Sequence, residues 1–260
     1  MHQNRDFRIT TIKSRNVHCS GMGLGIILLD ETYPGFPGDV RNPSAFPYPI
    51  QYEVAQGLDI SKLVRGKDKD QYLDTILTAA FKLQKMGCRA IAAECGYFAF
   101  FQKEVRARLD IPVFMSSLLQ VPWAQSIINP DKVVGILMAT QADLLEKHLS
   151  SVGVLPGTNY VVGGAMDGGL CPEFDNLWTE GVRPEIPQAD YQRAEEDFLR
   201  VATAFYEKHP NMGAMVLECT GFPPFARAVQ RAINIPVFSW GTLMDFAHMV
   251  TVHRDYYGYV

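Results

Sequence analysis

Two cysteines occupy matching places in an internal repeat, and each follows a glutamate. Ala90-Ile91-Ala92-Ala93-Glu94-Cys95 leads through Phe98, Phe101 and Val105 to Ile111-Pro112-Val113-Phe114. Ala214-Met215-Val216-Leu217-Glu218-Cys219 leads through Phe222, Phe225 and Val229 to Ile235-Pro236-Val237-Phe238, each counterpart 124 positions on. A gap-free repeat implies two similar half-structures, each presenting one thiol at the same structural point. Two thiols facing each other across a pseudo-twofold axis suit a 1,1-proton transfer. One removes a proton from a carbon and the other returns one to the opposite face.

Each thiol stands where a strand hands over to a helix, Cys95 before Gly96-Tyr97 and Cys219 before Thr220-Gly221. The positive end of a helix lowers a thiol's pKa, and its free N–H groups can hold a carboxylate. Alternation along the strand turns Glu94 and Glu218 to the face opposite the thiols. Two readings of them stay open: a paired structural carboxylate, or a group that binds a substrate amine or exchanges protons with the thiol. Cys19, Cys88 and Cys171 have no repeat partner and are read as non-catalytic. No Cys-x-x-Cys or closely spaced His pair suggests a metal site, and no motif suggests a cofactor.

The elements that must position these residues alternate between strand and helix. Leu24–Leu29 and Val133–Met138 are continuous apolar runs, as expected of strands buried on both faces of a parallel sheet. Apolar residues at helical spacing mark helices over Asp68–Met86, closed by Gly87, and over Tyr191–Tyr206. A last helix is expected over Thr242–Val250. The pattern predicts an α/β protein of two pseudo-symmetric parallel-sheet halves with the active site in the cleft between them. Residues 1–128, with a polar lead-in over 1–22, form the half carrying Cys95; residues 129–260 form the half carrying Cys219. The last helix packs on its own half or crosses to the first.

Two proline- and aromatic-rich stretches, Tyr33–Ile50 and Ala165–Gln188, leave the carboxyl ends of predicted strands, where such sheets bind ligands. Within the first, Arg41 and Asn42 are candidates to clamp a substrate carboxylate. The second is read equally as a pocket wall or as a dimer contact. The net charge of −4 gives no footprint for nucleic acid or an anionic membrane. No apolar run approaches the roughly 18–20 residues that span a bilayer. Five cysteines without an export signal point to reduced thiols in the cytoplasm. The expected partner is a small-molecule carboxylate substrate, with a homo-oligomer compatible with the chain.

From Leu24 to about Val250 the chain resembles the aspartate/glutamate racemase superfamily. The resemblance rests on the first strand ending at Asp30, on Val134 to Thr140 opening the second half, and on the two strand-Cys-helix units. It implies two α/β domains, no cofactor, and Cys95 and Cys219 alternating as acid and base. It further implies that Thr140 binds the substrate carboxylate; Asp30, Gln141, Gly96 and Tyr97 beside the first thiol, and Thr220 and Gly221 beside the second are the further substrate contacts expected. Gly96-Tyr97 stands where relatives have Asn-Thr, and the second threonine of Ala-Thr-x-x-Thr is absent. The function so implied is a cofactor-independent amino-acid racemase or epimerase of aspartate/glutamate type. The alternatives are cis-trans isomerisation or decarboxylation of a small dicarboxylic acid on the same fold, a non-catalytic small-molecule binder, and a redox protein pairing Cys95 with Cys219.

Overall fold

The computed structural model describes residues 16–256, 258 and 259, so most of the predicted polar lead-in lies outside the described residues. Eight described strands form two four-stranded sheets, every pairing parallel. The first holds β1 (Leu24–Leu29), β2 (Ile50–Ala55), β3 (Ala90–Ala93) and β4 (Val113–Phe114) in the order β2-β1-β3-β4. The second repeats it with β5 (Val133–Met138), β6 (Tyr160–Gly164), β7 (Met212–Leu217) and β8 (Val237–Phe238) in the order β6-β5-β7-β8. The described helices are α1 (Leu73–Met86), α2 (Gln102–Arg106), α3 (Gln120–Ile127), α4 (Glu146–Ser151), α5 (Pro172–Trp178), α6 (Tyr191–Lys208), α7 (Ala226–Ile233) and α8 (Trp240–Thr251). None is long and apolar enough to cross a membrane.

Both faces of each sheet are covered, which is why the strands are apolar throughout. Ile27, Leu29, Ile91 and Ala93 point to α1, whose Ile76, Leu77, Ala80 and Leu83 fill that face. Leu24, Ile26, Ala90 and Ala92 point the other way and meet Trp240, Leu243, Met244 and Ala247 of α8. The last helix thus lies on the first sheet. The second sheet mirrors this: Leu137, Met215 and Leu217 face α6 and α7, while Val134, Ile136, Met138, Ala214 and Val216 pack with Val121 and Ala124 of α3. Each half lends its final helix to the other half's sheet. Burying a side chain such as Leu243 or Met244 fully stabilises by about 1.5–3 kcal/mol, so the exchange joins the halves strongly.

Local signals explain the helix ends. Gly87 closes α1 in the left-handed region (φ 110°), and a Cβ there would lie 2.1 Å from the Cys19 carbonyl oxygen. Asp190 caps α6 by accepting from the Arg193 N–H. The stretches after the two cysteines are not the regular helices expected. Gly96–Phe101 and Pro223–Phe225 are 3-10 turns that only then run into α2 and α7.

The first long loop is pinned rather than free to swing. Arg41 reaches Glu94 with two hydrogen bonds, Nε to Oε1 at 2.8 Å and Nη2 to Oε2 at 2.7 Å, and also donates to the carbonyl oxygens of Leu29 and Glu31. Its side chain is 14% exposed and that of Glu94 is fully buried. Asn42 caps the short turn Pro43–Ala45 and donates to Gly35 O. Both residues expected to clamp a substrate are therefore spent on holding the loop. Removing the cation from a buried pair leaves an uncompensated charge. Arg41→Gln should lower unfolding free energy by about 3–5 kcal/mol in a urea titration; a change below 1 kcal/mol would refute this anchoring role.

Candidate active site

The cleft opens at the carboxyl ends of β1, β3, β5 and β7, where strand order reverses in each sheet and a crevice forms. It encloses about 650 Å³ including its mouth. Cys95 and Cys219 both line it, with Glu94, Glu218, Gly96, Tyr97, Thr140 and Thr220. The repeat is kept in atomic detail: Phe98 N–H bonds Cys95 O at 3.1 Å, and Phe222 N–H bonds Cys219 O at 3.2 Å. The N–H two residues on, of Tyr97 or Gly221, points to the respective thiol. None of the five cysteines forms a disulfide.

The expected lowering of the thiol pKa values is reversed. Burial pushes both thiols well above the usual range, and the Glu218 carboxylate adds to the rise; the single N–H on each opposes it weakly. A 3-10 turn presents too few aligned peptides to act as a strong dipole. The resting site therefore holds two neutral thiols.

The two glutamates, equivalent in sequence, are opposites in environment. Glu94 accepts from Leu29 N–H at 2.8 Å, from the Tyr33 hydroxyl and from Arg41. Glu218 is fully buried, yet neither carboxylate oxygen has a hydrogen-bond partner. The Ala139 N–H lies near it, outside hydrogen-bonding geometry. Burial pushes its pKa up to about 8.

Other expected contacts are committed elsewhere. Thr140 Oγ1 donates to Asp143 at 2.7 Å, and Thr220 Oγ1 donates to Glu94 O at 2.6 Å. The Tyr97 hydroxyl crosses between the halves to Thr140 O at 2.6 Å. These three line the cleft, but their protons are taken. Asp30 accepts from Gly57 N–H and does not line the cleft; it lines an adjoining pocket with Glu31, Asp59 and Glu180. Gln141 is exposed, its N–H turned to Asp167. Gly221 does not line the cleft; a Cβ there would strike the Trp178 ring at 2.3 Å, so glycine lets that ring form a wall.

Sequence reasoning missed several residues of the wall. Tyr33 comes from the first long loop, and Met166, Trp178 and Thr179 from the second. Arg65 ends a π-helical turn, Ser61–Arg65, of a kind frequent at functional sites. Its guanidinium has no partner among the described residues. Lys69 steadies that turn by donating to Leu63 O and Val64 O. Proline and aromatic content pointed to the loops, but nothing in the run around Arg65 singles it out. Among the described residues no group of three or more His, Cys, Asp or Glu is arranged to hold a metal ion.

No family model matches the chain. Its fold is that of the aspartate/glutamate racemase superfamily, as the resemblance implied. It aligns with allantoin racemase from Klebsiella pneumoniae at TM-score 0.57 and 14% identity, covering 88% of this chain and 87% of that one. Unliganded arylmalonate decarboxylase aligns at TM-score 0.55 and 13% identity, covering 90% and 94%. Sequence relatives are more similar and differ in activity. A dimethylsulfoniopropionate lyase from Durusdinium sp. clade D is 31% identical over 229 residues, 86% of this chain and 73% of the relative. Dimethylsulfoniopropionate lyase 3 from Emiliania huxleyi is 31% identical over 223 residues, 83% of this chain and 56% of its own length. Identity at that level across most of the chain places the protein in the dimethylsulfoniopropionate lyase family.

Proposed function

We propose that the protein is a lyase that removes the α-proton of a β-sulfonium carboxylate, dimethylsulfoniopropionate, and releases acrylate and dimethyl sulfide. One observation carries this beyond kinship: among the described residues the interior of the cleft holds groups that become anionic, and the uncommitted cation that lines it, Arg65, is exposed at the rim. Arg41 is spent on Glu94 and Lys69 on two carbonyls. Such a site takes a cation readily and a second carboxylate poorly.

The substrate's sulfonium would sit against Tyr33 and Trp178 on the sides of those rings not covered by Arg41 and Phe174, where aromatic rings attract a desolvated cation. Its carboxylate would reach toward the mouth and Arg65. Positive charge inside the cleft lowers the pKa of the nearby thiols, so binding itself favours a thiolate. The thiolate of Cys95 or Cys219 takes the α-proton. The C–H pair becomes the new double bond, and the C–S pair departs with neutral dimethyl sulfide. That leaving group needs no proton, so elimination asks less of the second thiol than racemisation does. The amino-acid racemase reading shares the first step and differs in what the resulting carbanion does next. It calls for a cation deep in the cleft to hold a second carboxylate.

Headspace gas chromatography of dimethyl sulfide tests the assignment. Serine at whichever of Cys95 and Cys219 is the base should lower kcat by about 10²–10⁴-fold. No dimethyl sulfide from the wild type, together with Cα deuteration of aspartate or glutamate in D₂O, would return the protein to the racemases. Arg65→Met should raise KM roughly tenfold, about 1.4 kcal/mol of lost binding, while kcat changes little. An unchanged KM would remove Arg65 from substrate binding.

A further inference from the structure

The bare Glu218 carboxyl has no part in the steps above. Its backbone is fixed: its carbonyl accepts from Trp240 Nε1 at 2.7 Å and from Ser117, and its N–H donates to Leu137 O. Its side chain is aimed into the cleft and touches the first thiol's turn. A Cβ on Gly96 would lie 1.9 Å from Glu218 Oε1. The glycine after the first cysteine is thus what makes room for this carboxyl. Glu218 also exerts its charge on Cys95, Cys219 and Tyr97 together. A buried polar group without a partner is costly, and one lining a cleft beside two thiols points to a task there.

We propose that Glu218 is the proton acceptor that charges the site, taking the S–H proton of the attacking cysteine through one bridging water, since neither sulfur is its hydrogen-bond partner at rest, so that a thiolate forms inside the closed cleft. This deepens the lyase reading and rests on it for the substrate. The step balances. Glu218 carboxylate and a thiol become a carboxylic acid and a thiolate. The thiolate takes the α-proton and is a thiol again, acrylate and dimethyl sulfide leave, and Glu218 returns its proton to solvent. Each turnover releases one proton and uses no oxidant or reductant. The sulfonium favours the transfer because it moves negative charge onto a sulfur beside the cation.

The groups facing Glu218 leave it as the first to ionise. Cys95, Cys219 and Tyr97 are all held neutral to higher pH than the about 8 of Glu218. Behind Cys95 stand Lys69 and Glu94, behind Cys219 stands Asp39, and behind Tyr97 stands His148, which burial keeps neutral down to about 4. Once Glu218 has lost its proton, the remaining one is shared between carboxyl and thiol. The thiolate fraction then stops rising with pH until a second proton leaves.

Alkylation of Cys95 and Cys219 by iodoacetamide, followed by mass spectrometry between pH 6 and 10, reads this directly and needs no turnover. In the wild type the rate at the attacking thiol should climb to a plateau above pH about 8. Glu218→Gln should track the wild type below pH about 8, then keep climbing without a plateau and exceed it at least tenfold by pH 9.5, and Glu218→Asp should restore part of the plateau. A wild type without a plateau, or a Glu218→Gln profile like the wild type's, overturns the proposal; the wild-type curve alone decides if the variant fails to fold. Dimethyl sulfide release over the same pH range separates the two claims. A roughly 10²-fold loss of kcat in Glu218→Gln with loss of the plateau supports the acceptor role. Unchanged release refutes that role and leaves the lyase reading standing, while no release from the wild type refutes the lyase reading and leaves the alkylation result to judge Glu218.

Discussion

Two carboxyl groups are buried at the carboxyl ends of equivalent strands, and only one has a cation. Much of what distinguishes the two halves follows from that imbalance. Arg41 neutralises Glu94, and in doing so draws the first long loop down onto β1 and brings Tyr33 into the wall of the cleft. Glu218 has no such partner and is held mostly protonated near neutral pH by burial alone. The fold bears a cost for this. A carboxyl whose pKa rises from 4.5 in the open chain to about 8 in the folded protein binds its proton more tightly when folded. Stability therefore falls as pH climbs through that window, by on the order of 5 kcal/mol in all. A group retained at such expense in a cleft is better explained by chemistry than by packing.

The same imbalance shapes the lining of the cleft. The cleft presents hydroxyls whose protons are already donated to Asp143 and to the carbonyls of Glu94 and Thr140. What remains free is aromatic surface, two thiols, a bare carboxyl and one guanidinium at the mouth. Those elements are ordered, with groups that become anionic inside and the one uncommitted guanidinium at the rim.

The fold was legible in the sequence because its signals are large and periodic. Apolar runs as long as Leu24–Leu29 and a gap-free repeat leave few topologies open, and Glu-Cys at both repeat points located both thiols. The contacts around the thiols were not legible, because they depend on which partner reaches a side chain first. Arg41 looked like an anion clamp until the structure put Glu94 within 2.7 Å of it. Thr140 and Thr220 had the right chemistry and already engaged hydroxyls. Alternation turned the glutamates away from the thiols, but the strands end at Ala93 and Leu217, and past them Glu94 and Glu218 enter the same cleft as both cysteines; nor had alternation any means of telling Glu94 from Glu218. The thiol pKa values were misjudged because a helix dipole was weighed without the burial that outweighs it.

The exchange of final helices carries a consequence for motion. With α3 seated on the second sheet and α8 on the first, neither half encloses its own core, so the seam between them is interior. Across it run Tyr97 to Thr140, Thr220 to Glu94, and Ser117 to Leu217. Two lobes joined in this way cannot gape like a clamshell without exposing apolar surface on both sheets. Ligand traffic is left to the side chains and loops at the rim, and the distance between the two sulfurs is set by the architecture as firmly as the spacing of the strands.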